Sequence, residues 1–275
     1  SEKIVLIDGH SILNRAFYGL PDLTNAEGLH TNAIYGFLTI MFKILEEEKP
    51  EYLTVAFDVH APTFRHEMYD AYKGTRKPMA DELRQQVPVI KEVLGAMGIK
   101  TIEQAGLEAD DLLGTISRRS EERGMEVSVI SGDRDLLQLA TEHVKIRIPK
   151  TRQGRTEVED YYSEDVKNRY QVTPLEFIDL KALMGDTSDN IPGVPSIGEK
   201  TAARIITEYH SIENAYAHVE ELKPPRASKA LKEHWELAVM SKTLATIEVH
   251  ADFAYDFEEA RLGNIYTEEA YAYFQ

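Results

Sequence analysis

The sequence predicts an α/β protein with a central, mostly parallel sheet flanked by helices, followed by a helical part. Three short apolar runs have the character of buried strands: Lys3–Ile7, Tyr52–Phe57 and Glu126–Ile130. Such runs, separated by helical stretches, are typical of a parallel sheet that is covered on both faces. From about Thr173 the pattern changes to helices and glycine-rich turns. We therefore expect an α/β core over residues 1–172 and a helical part over residues 173–275.

Two helices between these strands are predicted with clear ends. Over Thr31–Glu48, apolar residues recur on one helical face, and Pro50 stops the pattern. A second helix is predicted over Glu108–Arg123, where Gly124 is suited to the position after the last turn. Each helix lies between two predicted strands, as the connections of a parallel sheet require.

The composition is that of an ordinary globular protein, with 43% hydrophobic and 28% charged residues. No window approaches the run of about 20 apolar residues that a membrane span needs. The chain has no cysteine, which excludes a disulfide framework, a thiolate nucleophile and a zinc–sulfur site. The net charge of −16 by itself favours an acidic enzyme with a small substrate over a DNA-binding protein. Acids that converge on one metal site would reverse that conclusion, because the cations would invert the local field.

Each of the three predicted strands is followed closely by an aspartate. These residues are Asp8, Asp58 and Asp133. In open α/β sheets, ligands bind just outside the carboxyl ends of the strands. One such aspartate is more often a turn former than a ligand. Three aspartates at corresponding positions favour a ligand-binding edge.

Further acids recur at short spacing in three motifs. They are Glu108, Asp110 and Asp111 in LEADD, Asp133 and Asp135 in SGDRDLLQL, and Asp186 and Asp189 in GDTSDN. Taken alone, LEADD is equally typical of a capped helix N-terminus, and a single D-x-D is more typical of a solvated turn. Brought to one cleft, so many carboxylates would repel one another and bind protons unless cations held them. Hard oxygen ligands favour Mg²⁺ or Mn²⁺ over zinc, and phosphodiester hydrolysis is the reaction that most needs two such ions.

The order and spacing of six motifs resemble a known family. The motifs are LIDG, VAFD, FRHEMYDAYKGTRKPM, GLEADDLLGT, SGDRDLLQL and LMGDTSDNIPGVPSIGEKTA. They extend over essentially the whole chain and are similar to the 5′-nuclease domains of bacterial DNA polymerase I, which belong to the flap endonuclease family. The resemblance implies a 5′→3′ exonuclease and flap endonuclease that removes RNA primers and displaced strands in replication and repair.

The same resemblance implies two divalent ions, Mg²⁺ or Mn²⁺. It groups Asp8, Asp58, Glu108, Asp110 and Asp111 around the first ion, and Asp133, Asp135, Asp186 and Asp189 around the second. All nine positions carry an acid in this chain. Asp58 and Asp135 are expected to be essential for catalysis.

Residues 60–98 are expected, from the resemblance, to form a helical arch over the site. The part from Arg65 to Lys77 mixes cations with aromatic rings, which suits a single DNA strand. An ordinary amphipathic helix with a solvated face has the same pattern. The family implies that Lys73 and Arg76 contact the scissile phosphate and that Tyr72 stacks on a base. Arg65 is a further expected DNA contact.

Residues 185–209 are expected to form the family's helix–three-turn–helix element, which grips duplex DNA. A glycine-bracketed turn entering a helix exposes backbone N–H groups that can hold a phosphate. The expected contacts are Gly193, Ser196, Gly198, Lys200 and Arg204, with a monovalent cation such as K⁺ at the turn. An αα-hairpin built only for packing is the alternative. A basic stretch at Lys145–Arg155 is a further candidate for duplex contact, although exposed basic hairpins are common.

The expected partner is DNA with a 5′ flap, a nick or a frayed end, or an RNA primer on DNA. We expect a monomer in a bacterial cytoplasm, associated with the nucleoid, and a polymerase domain linked to this chain in the parent protein. Two other functions are compatible with the acidic motifs. One is a phosphatase or an RNA-directed nuclease that has a similar β-sheet. The other is a module that binds branched DNA without cutting it.

Overall fold

A sheet with the strand order β3-β2-β1-β4-β5-β6 forms the centre of the α/β part. The computed structural model describes residues 1–19, 24–28, 30–152 and 155–263. The strands are β1 (Lys3–Asp8), β2 (Tyr52–Ala56), β3 (Lys100–Ile102), β4 (Glu126–Ile130), β5 (Val144–Arg152) and β6 (Arg155–Tyr161). Strands β1 to β5 are parallel, and β6 runs antiparallel to β5. The predicted fold class is confirmed, and the three predicted strands correspond to β1, β2 and β4.

Helices flank this sheet and follow it in the second half of the chain. The first half contains α1 (Gly9–Gly19), α2 (Asn32–Glu48), α3 (Phe64–Met68), α4 (Asp81–Arg84), α5 (Gln86–Ala96) and α6 (Ala109–Glu122). The second half contains α7 (Ser163–Tyr170), α8 (Pro174–Met184), α9 (Glu199–Tyr209), α10 (Ile212–Ala217), α11 (Pro225–Glu233) and α12 (Trp235–Ala245). Short 3₁₀ helices lie at Arg134–Leu139, Val219–Glu221 and Phe257–Ala260. The two helices predicted from the sequence correspond to α2 and α6.

The side chains of β1 alternate between two hydrophobic cores. Val5 and Ile7 pack in the core that contains residues of α1, α2 and α5. Ile4 and Leu6 point to the other face and join the core that contains residues of α6. All four side chains are at most 1% exposed. The sheet is therefore covered on both faces, which explains why β1 reads as a continuous apolar run.

The helical part has a core of its own around Ile206 and Leu231, both fully buried. Helix α8 also packs on α12 and on the 3₁₀ helix that follows β4. This packing brings the turn after α8 to the carboxyl edge of the sheet. The predicted boundary at residues 172/173 falls between α7 and α8. Across the described ranges, none of the helices combines the length and the apolar character that crossing a membrane requires.

The segment predicted as an arch, residues 60–98, contains the helices α3, α4 and α5. Between α3 and α4 the chain turns, and Lys73 has a φ of 56°. The Lys73 N–H donates to the Asp189 carbonyl at 2.7 Å, and the Asn190 amide donates to the Ala71 carbonyl at 2.7 Å. These bonds tie the segment to the turn after α8. They also bring Lys73 to the acids at the sheet edge.

Candidate active site

Asp8, Asp58 and Asp133 converge because β1 lies between β2 and β4 in the sheet. Asp8 ends β1, and the other two follow β2 and β4. The chain proceeds from β1 outward to β2 and β3, and then crosses back to β4 on the other side. The strand order therefore reverses between β1 and β4, which is where open α/β sheets bind ligands. The strand-end aspartates meet at one edge, as predicted.

Gly9 allows helix α1 to begin directly after Asp8. An added Cβ at Gly9 would lie 2.5 Å from the ring of Phe57 and 2.8 Å from the carbonyl oxygen of Ala56. Only glycine tolerates so close an approach to β2 and the residue after it. Asp8 is thereby fixed at the end of β1, where its carboxylate accepts a hydrogen bond from the Ser131 hydroxyl at 2.7 Å.

A cavity of about 790 Å³ opens over these strand ends. Five of the predicted acids line it: Asp8, Asp58, Glu108, Asp110 and Asp133. Lys73 and Arg76 line the same cavity. A concave site with carboxylates and fixed cations suits a substrate that brings its own negative charge, provided that further cations balance the acids.

Three of these acids are costly to ionise in the absence of metal. Burial, together with the charge of Asp58, raises the pKa of Asp8 to about 7. Burial and the charges of Asp8 and Asp133 hold the pKa of Asp110 well above its usual range, and burial also raises the pKa of Asp133. Throughout the part of the chain that the structure describes, no lysine or arginine forms an ion pair with Asp8, Asp110 or Asp133. Buried oxygen donors that have no ion-pair partner among the described residues fit a hard divalent cation such as Mg²⁺ or Mn²⁺.

Metal binding is expected to release protons near neutral pH. Asp8, with a pKa of about 7, and Asp135, with a pKa of about 6, are partly protonated at about pH 6.5, and a divalent ion binds the ionised form. Both pKa values are raised, so the metal-free fold holds protons that the unfolded chain has lost. Their contribution to stability therefore falls as pH rises from about 4 to about 7.

Calorimetric titration of Mn²⁺ in two buffers of different ionisation enthalpy measures the released protons. We expect a clear difference between the buffers at about pH 6.5 that becomes smaller toward about pH 8.5, where Asp8 and Asp135 are ionised in the free protein. Equal heats in the two buffers at the lower pH would contradict the protonated state of these acids.

The LEADD motif is both a capped helix start and part of the site. Glu108 is the N-cap of α6, and its backbone N–H donates to the Asp111 carboxylate at 3.1 Å. Asp111 is fully buried, and its two oxygens accept from the Arg65 guanidinium at 2.8 Å each. The Asp111 carboxylate also accepts a hydrogen bond from the Glu248 N–H at 2.9 Å. Because these donors occupy both oxygens, the Asp111 carboxylate does not fit the predicted role of direct metal ligand in this structure, and it holds the backbone of Glu108 at the start of α6.

Arg65 and Tyr72 are buried, which differs from the predicted DNA contacts. Arg65 is 2% exposed and pairs with Glu108 and Asp111. Tyr72 is 5% exposed, donates its hydroxyl to Glu108 at 3.2 Å and stacks on His66 with the ring centroids 5.3 Å apart. The physical reason is that buried carboxylates at the start of α6 need a cation and hydrogen-bond donors. The predictions of a DNA contact at Arg65 and base stacking at Tyr72 therefore do not fit this structure.

Lys73 and Arg76 are placed where a substrate phosphate would meet the acids. The Lys73 ammonium contacts Glu108, and the Arg76 guanidinium contacts Asp189. Burial alone would lower the pKa of Lys73, but the charge of Glu108 outweighs burial and raises it. Lys73 is therefore charged at neutral pH. Its contact with a scissile phosphate stays a prediction, as does that of Arg76.

A second group of carboxylates lies beside the first. Ligand atoms of Asp135, Asp186 and Asp189 all lie within 4.8 Å of one another. Asp135 belongs to the 3₁₀ helix after β4, and the other two belong to the turn after α8. The resemblance to the family places Asp133 in this group. In the structure Asp133 lines the cavity with Asp8 and Asp110, and its carboxylate also accepts a hydrogen bond from the Asp135 N–H at 2.9 Å, so it lies between the two groups.

Two residues of the site were not predicted from the sequence. Lys181, in the last turn of α8, extends its ammonium to Asp135 and, at 2.8 Å, to Asp186. His10 accepts a hydrogen bond from the Asp58 N–H at 3.1 Å, and burial lowers its pKa despite the nearby Asp58. Available signals were a lysine on the helix that enters GDTSDN and a histidine two residues after Asp8.

The segment predicted to bind duplex DNA, residues 185–209, comprises the turn between α8 and α9 and helix α9 itself, and one of its predicted contacts is corrected by the structure. Gly193 is buried and donates its N–H to the Ser241 hydroxyl at 2.9 Å. An added Cβ there would lie 2.4 Å from the Gly185 nitrogen, and its φ is 65°. Gly193 is thus required for packing, and its N–H does not meet a phosphate. The remaining predicted contacts are exposed around the start of α9: Ser196, Gly198, Lys200 and Arg204.

The described part of the basic stretch at Lys145–Arg155 covers most of β5 and the first residue of β6, and these two strands pair in antiparallel orientation. Three of its cations are neutralised by acids of the protein. Lys145 pairs with Glu48 at 2.8 Å, Arg147 pairs with Glu47, Glu48 and Asp160, and Lys150 contacts Glu159. Cations that are paired internally have little charge to offer a duplex, so this candidate is not supported.

Two family models match the chain in consecutive pieces. The 5′-3′ exonuclease N-terminal resolvase-like domain matches residues 3–171, and the 5′-3′ exonuclease C-terminal SAM fold matches residues 172–268. DNA polymerase I of Bacillus caldotenax is 47% identical over 265 residues, which cover 94% of this chain and 30% of the relative. DNA polymerase I of Bacillus subtilis (strain 168) is 47% identical over 250 residues, which cover 91% of this chain and 28% of the relative. The chain thus spans less than a third of the length of these relatives.

Solved structures show the same fold. T5 5′-exonuclease, determined with bound divalent zinc ions, matches with a TM-score of 0.74 at 23% identity, covering 90% of this chain and 91% of that one. The catalytic core of Rad2 in complex with DNA substrate matches with a TM-score of 0.58 at 16% identity, covering 100% of this chain and 93% of that one. Together with the acidic edge of the sheet, the family matches over residues 3–268 show that this chain belongs to the 5′-3′ exonuclease family and corresponds to the 5′-nuclease portion of bacterial DNA polymerase I.

Proposed function

We propose that this chain is a structure-specific 5′ nuclease that hydrolyses phosphodiesters at 5′ ends or flaps of branched DNA with two divalent ions. The proposal depends mainly on one observation: two clusters of carboxylates lie side by side at the edge of the sheet where the strand order reverses, between β1 and β4. Asp8, Asp110 and Asp133 line the cavity without a cationic partner among the described residues. Asp135, Asp186 and Asp189 lie beside them.

The proposed ligands of the first ion are Asp8, Glu108, Asp110 and Asp133, with Asp58 at the same edge. The second ion is held by Asp135, Asp186 and Asp189. Bound Mg²⁺ or Mn²⁺ supplies an activated water and charge neutralisation on a phosphodiester, and Ca²⁺ supports binding without cleavage. Glu108 is oriented by Lys73 and Arg65, and Asp58 by the Ala109 N–H at 2.7 Å and by His10. Lys73 and Arg76 stabilise negative charge on the phosphate as it grows.

Two structural neighbours support DNA as the substrate. The T5 D15 flap endonuclease is known as a pseudo-enzyme-product complex with DNA and metal ions, and the Rad2 core is known with a DNA substrate. In the present chain the exposed start of α9 offers free N–H groups, Lys200 and Arg204 to a duplex backbone. We propose that K⁺ binds at the turn before α9. We also propose that the activity serves primer removal and repair beside a linked polymerase domain.

The test compares three substrates at equal concentration. With Mg²⁺, a 5′-flap duplex is expected to be cut rapidly, a plain single strand of the same sequence far more slowly, and a small phosphate monoester not at all. Equal rates on the flap and the single strand would favour an RNA- or single-strand-directed nuclease. Hydrolysis of the monoester would favour a phosphatase, and tight flap binding without cleavage would favour a pure binding module.

The proposed duplex grip at α9 is tested separately from the chemistry. Replacing both Lys200 and Arg204 by alanine is expected to weaken flap-DNA binding and to flatten its salt dependence by roughly 0.9 log unit for each phosphate that the protein no longer neutralises. Single-turnover cleavage at saturating enzyme is expected to change little. Fluorescence anisotropy at a series of KCl concentrations measures the slope. An unchanged slope would mean that α9 does not meet the DNA backbone.

A further inference from the structure

Lys181 is a positive charge inside the second carboxylate group. It lies on α8, and its side chain is 15% exposed. The ammonium contacts Asp135 and lies 2.8 Å from Asp186. Asp189, the third member of the group, is paired with Arg76. Every member of this group therefore has an internal cation as a partner.

The first carboxylate group differs in this respect. Asp8, Asp110 and Asp133 have no lysine or arginine in an ion pair within the described ranges. The two groups thus present different fields to an incoming cation. In the first group only Glu108 has cationic partners, Arg65 and Lys73, whereas in the second group an ammonium already lies at the oxygens that would bind the ion.

We propose that Lys181 is a resident cation that occupies the second metal position until a divalent ion displaces it. The inference rests on the proposed two-ion function and adds that the second ion must compete with the Lys181 ammonium, which contacts two of its three proposed ligands. A lysine suits this role, since its charge is carried on a flexible four-carbon stem that can rotate away. With Lys181 in place, the metal-free carboxylates remain neutralised and assembled.

The charge of Lys181 therefore sets the affinity of the second ion. Lys181→Met keeps an unbranched apolar stem of similar length and removes the charge. Without the competing ammonium, Asp135 and Asp186 attract a divalent ion more strongly. We expect the weaker class of Mn²⁺ sites to tighten about tenfold or more, with little change in the tighter class. Electron paramagnetic resonance of free Mn²⁺, titrated with the full chain in the absence of DNA, measures both classes.

Stability provides a readout that does not depend on activity. In EDTA, Lys181→Met leaves Asp135 and Asp186 without their cation, so the unfolding midpoint is expected to fall below that of the wild type. Saturating Mn²⁺ is expected to remove the difference. If the methionine variant does not fold, Lys181→Gln provides a second neutral side chain for the same measurements.

Two controls separate charge from a general effect of mutation. Lys181→Arg keeps the charge and should retain the second-ion affinity within about threefold. Lys242→Met makes the same change at a lysine of α12 that pairs with Asp179 and Glu213, away from the carboxylate groups, and should leave Mn²⁺ binding unchanged.

The outcomes distinguish this inference from the proposed function. Tightening of a weak site in Lys181→Met, or a second ion that binds only in this variant, supports a resident cation. If the wild type bound two Mn²⁺ ions and the weaker site had the same affinity in the variant, the proposed role of Lys181 would be wrong, but the two-ion function would stand. A loss of Mn²⁺ affinity in the variant would show that Lys181 supports the ion, which also overturns it. No Mn²⁺ binding in either protein would overturn the two-ion function itself.

Discussion

Replacing Asp135 by alanine is expected to abolish cleavage of flap DNA while leaving DNA affinity nearly intact. Asp135 contributes one of the three carboxylates that lie within 4.8 Å of one another in the second group. Its loss empties the second ion position, and losing a catalytic metal costs several kcal/mol of transition-state stabilisation, which corresponds to roughly a thousandfold in rate or more. Single-turnover rates with Mg²⁺, measured beside binding isotherms in Ca²⁺, test both parts of the expectation.

The matched control is Asp252→Ala. Asp252 is an exposed aspartate that is not part of the cavity lining, and its replacement should leave both the rate and the affinity at wild-type values. Turnover of Asp135→Ala within about tenfold of the wild type would be incompatible with two-ion catalysis at this position.

Replacing Lys73 by methionine is expected to lower the single-turnover cleavage rate by about 10²-fold or more. The substitution keeps most of the side-chain volume and removes the charge that lines the cavity. A positioned cation acts on charge that develops in the transition state, so the rate should fall far more than the affinity. The loss also leaves Glu108 without one of its two cationic partners, so Mg²⁺ titration of the rate is needed to confirm that metal is saturating.

Lys77→Met is the control for this substitution. Lys77 is an exposed lysine of the same segment that does not line the cavity. Its replacement should have little effect on the rate. If Lys73→Met cut at nearly the wild-type rate while binding dropped sharply, Lys73 would be a strand contact, and Arg76 would be the next candidate for the catalytic cation.

The strands and the acids at their ends could be predicted because they depend on local patterns. A buried parallel strand reads as an apolar run wherever it lies in the sequence, and Asp8, Asp58 and Asp133 follow such runs. Parallel strands present their carboxyl ends at one edge, so convergence follows from the fold class. The turn after α8 could be placed at the same edge only through the resemblance to a known family.

The partners of charged side chains could not be predicted, because they depend on packing between distant elements. Arg65 lies in a basic and aromatic segment that is typical of a nucleic-acid surface, yet it is buried against Asp111, 46 positions away. Lys181 is an ordinary helix residue until α8 packs on the 3₁₀ helix that contains Asp135. In the sequence, an exposed cation and a buried one look the same.

Anomalous diffraction from crystals soaked in Mn²⁺ tests the central claim most directly. Two manganese peaks are expected at the carboxyl edge of the sheet, roughly 4 Å apart. One peak should lie among Asp8, Glu108, Asp110 and Asp133, and the other among Asp135, Asp186 and Asp189. A single peak at saturating Mn²⁺, or peaks only at surface carboxylates away from this edge, would contradict two-ion catalysis by this protein.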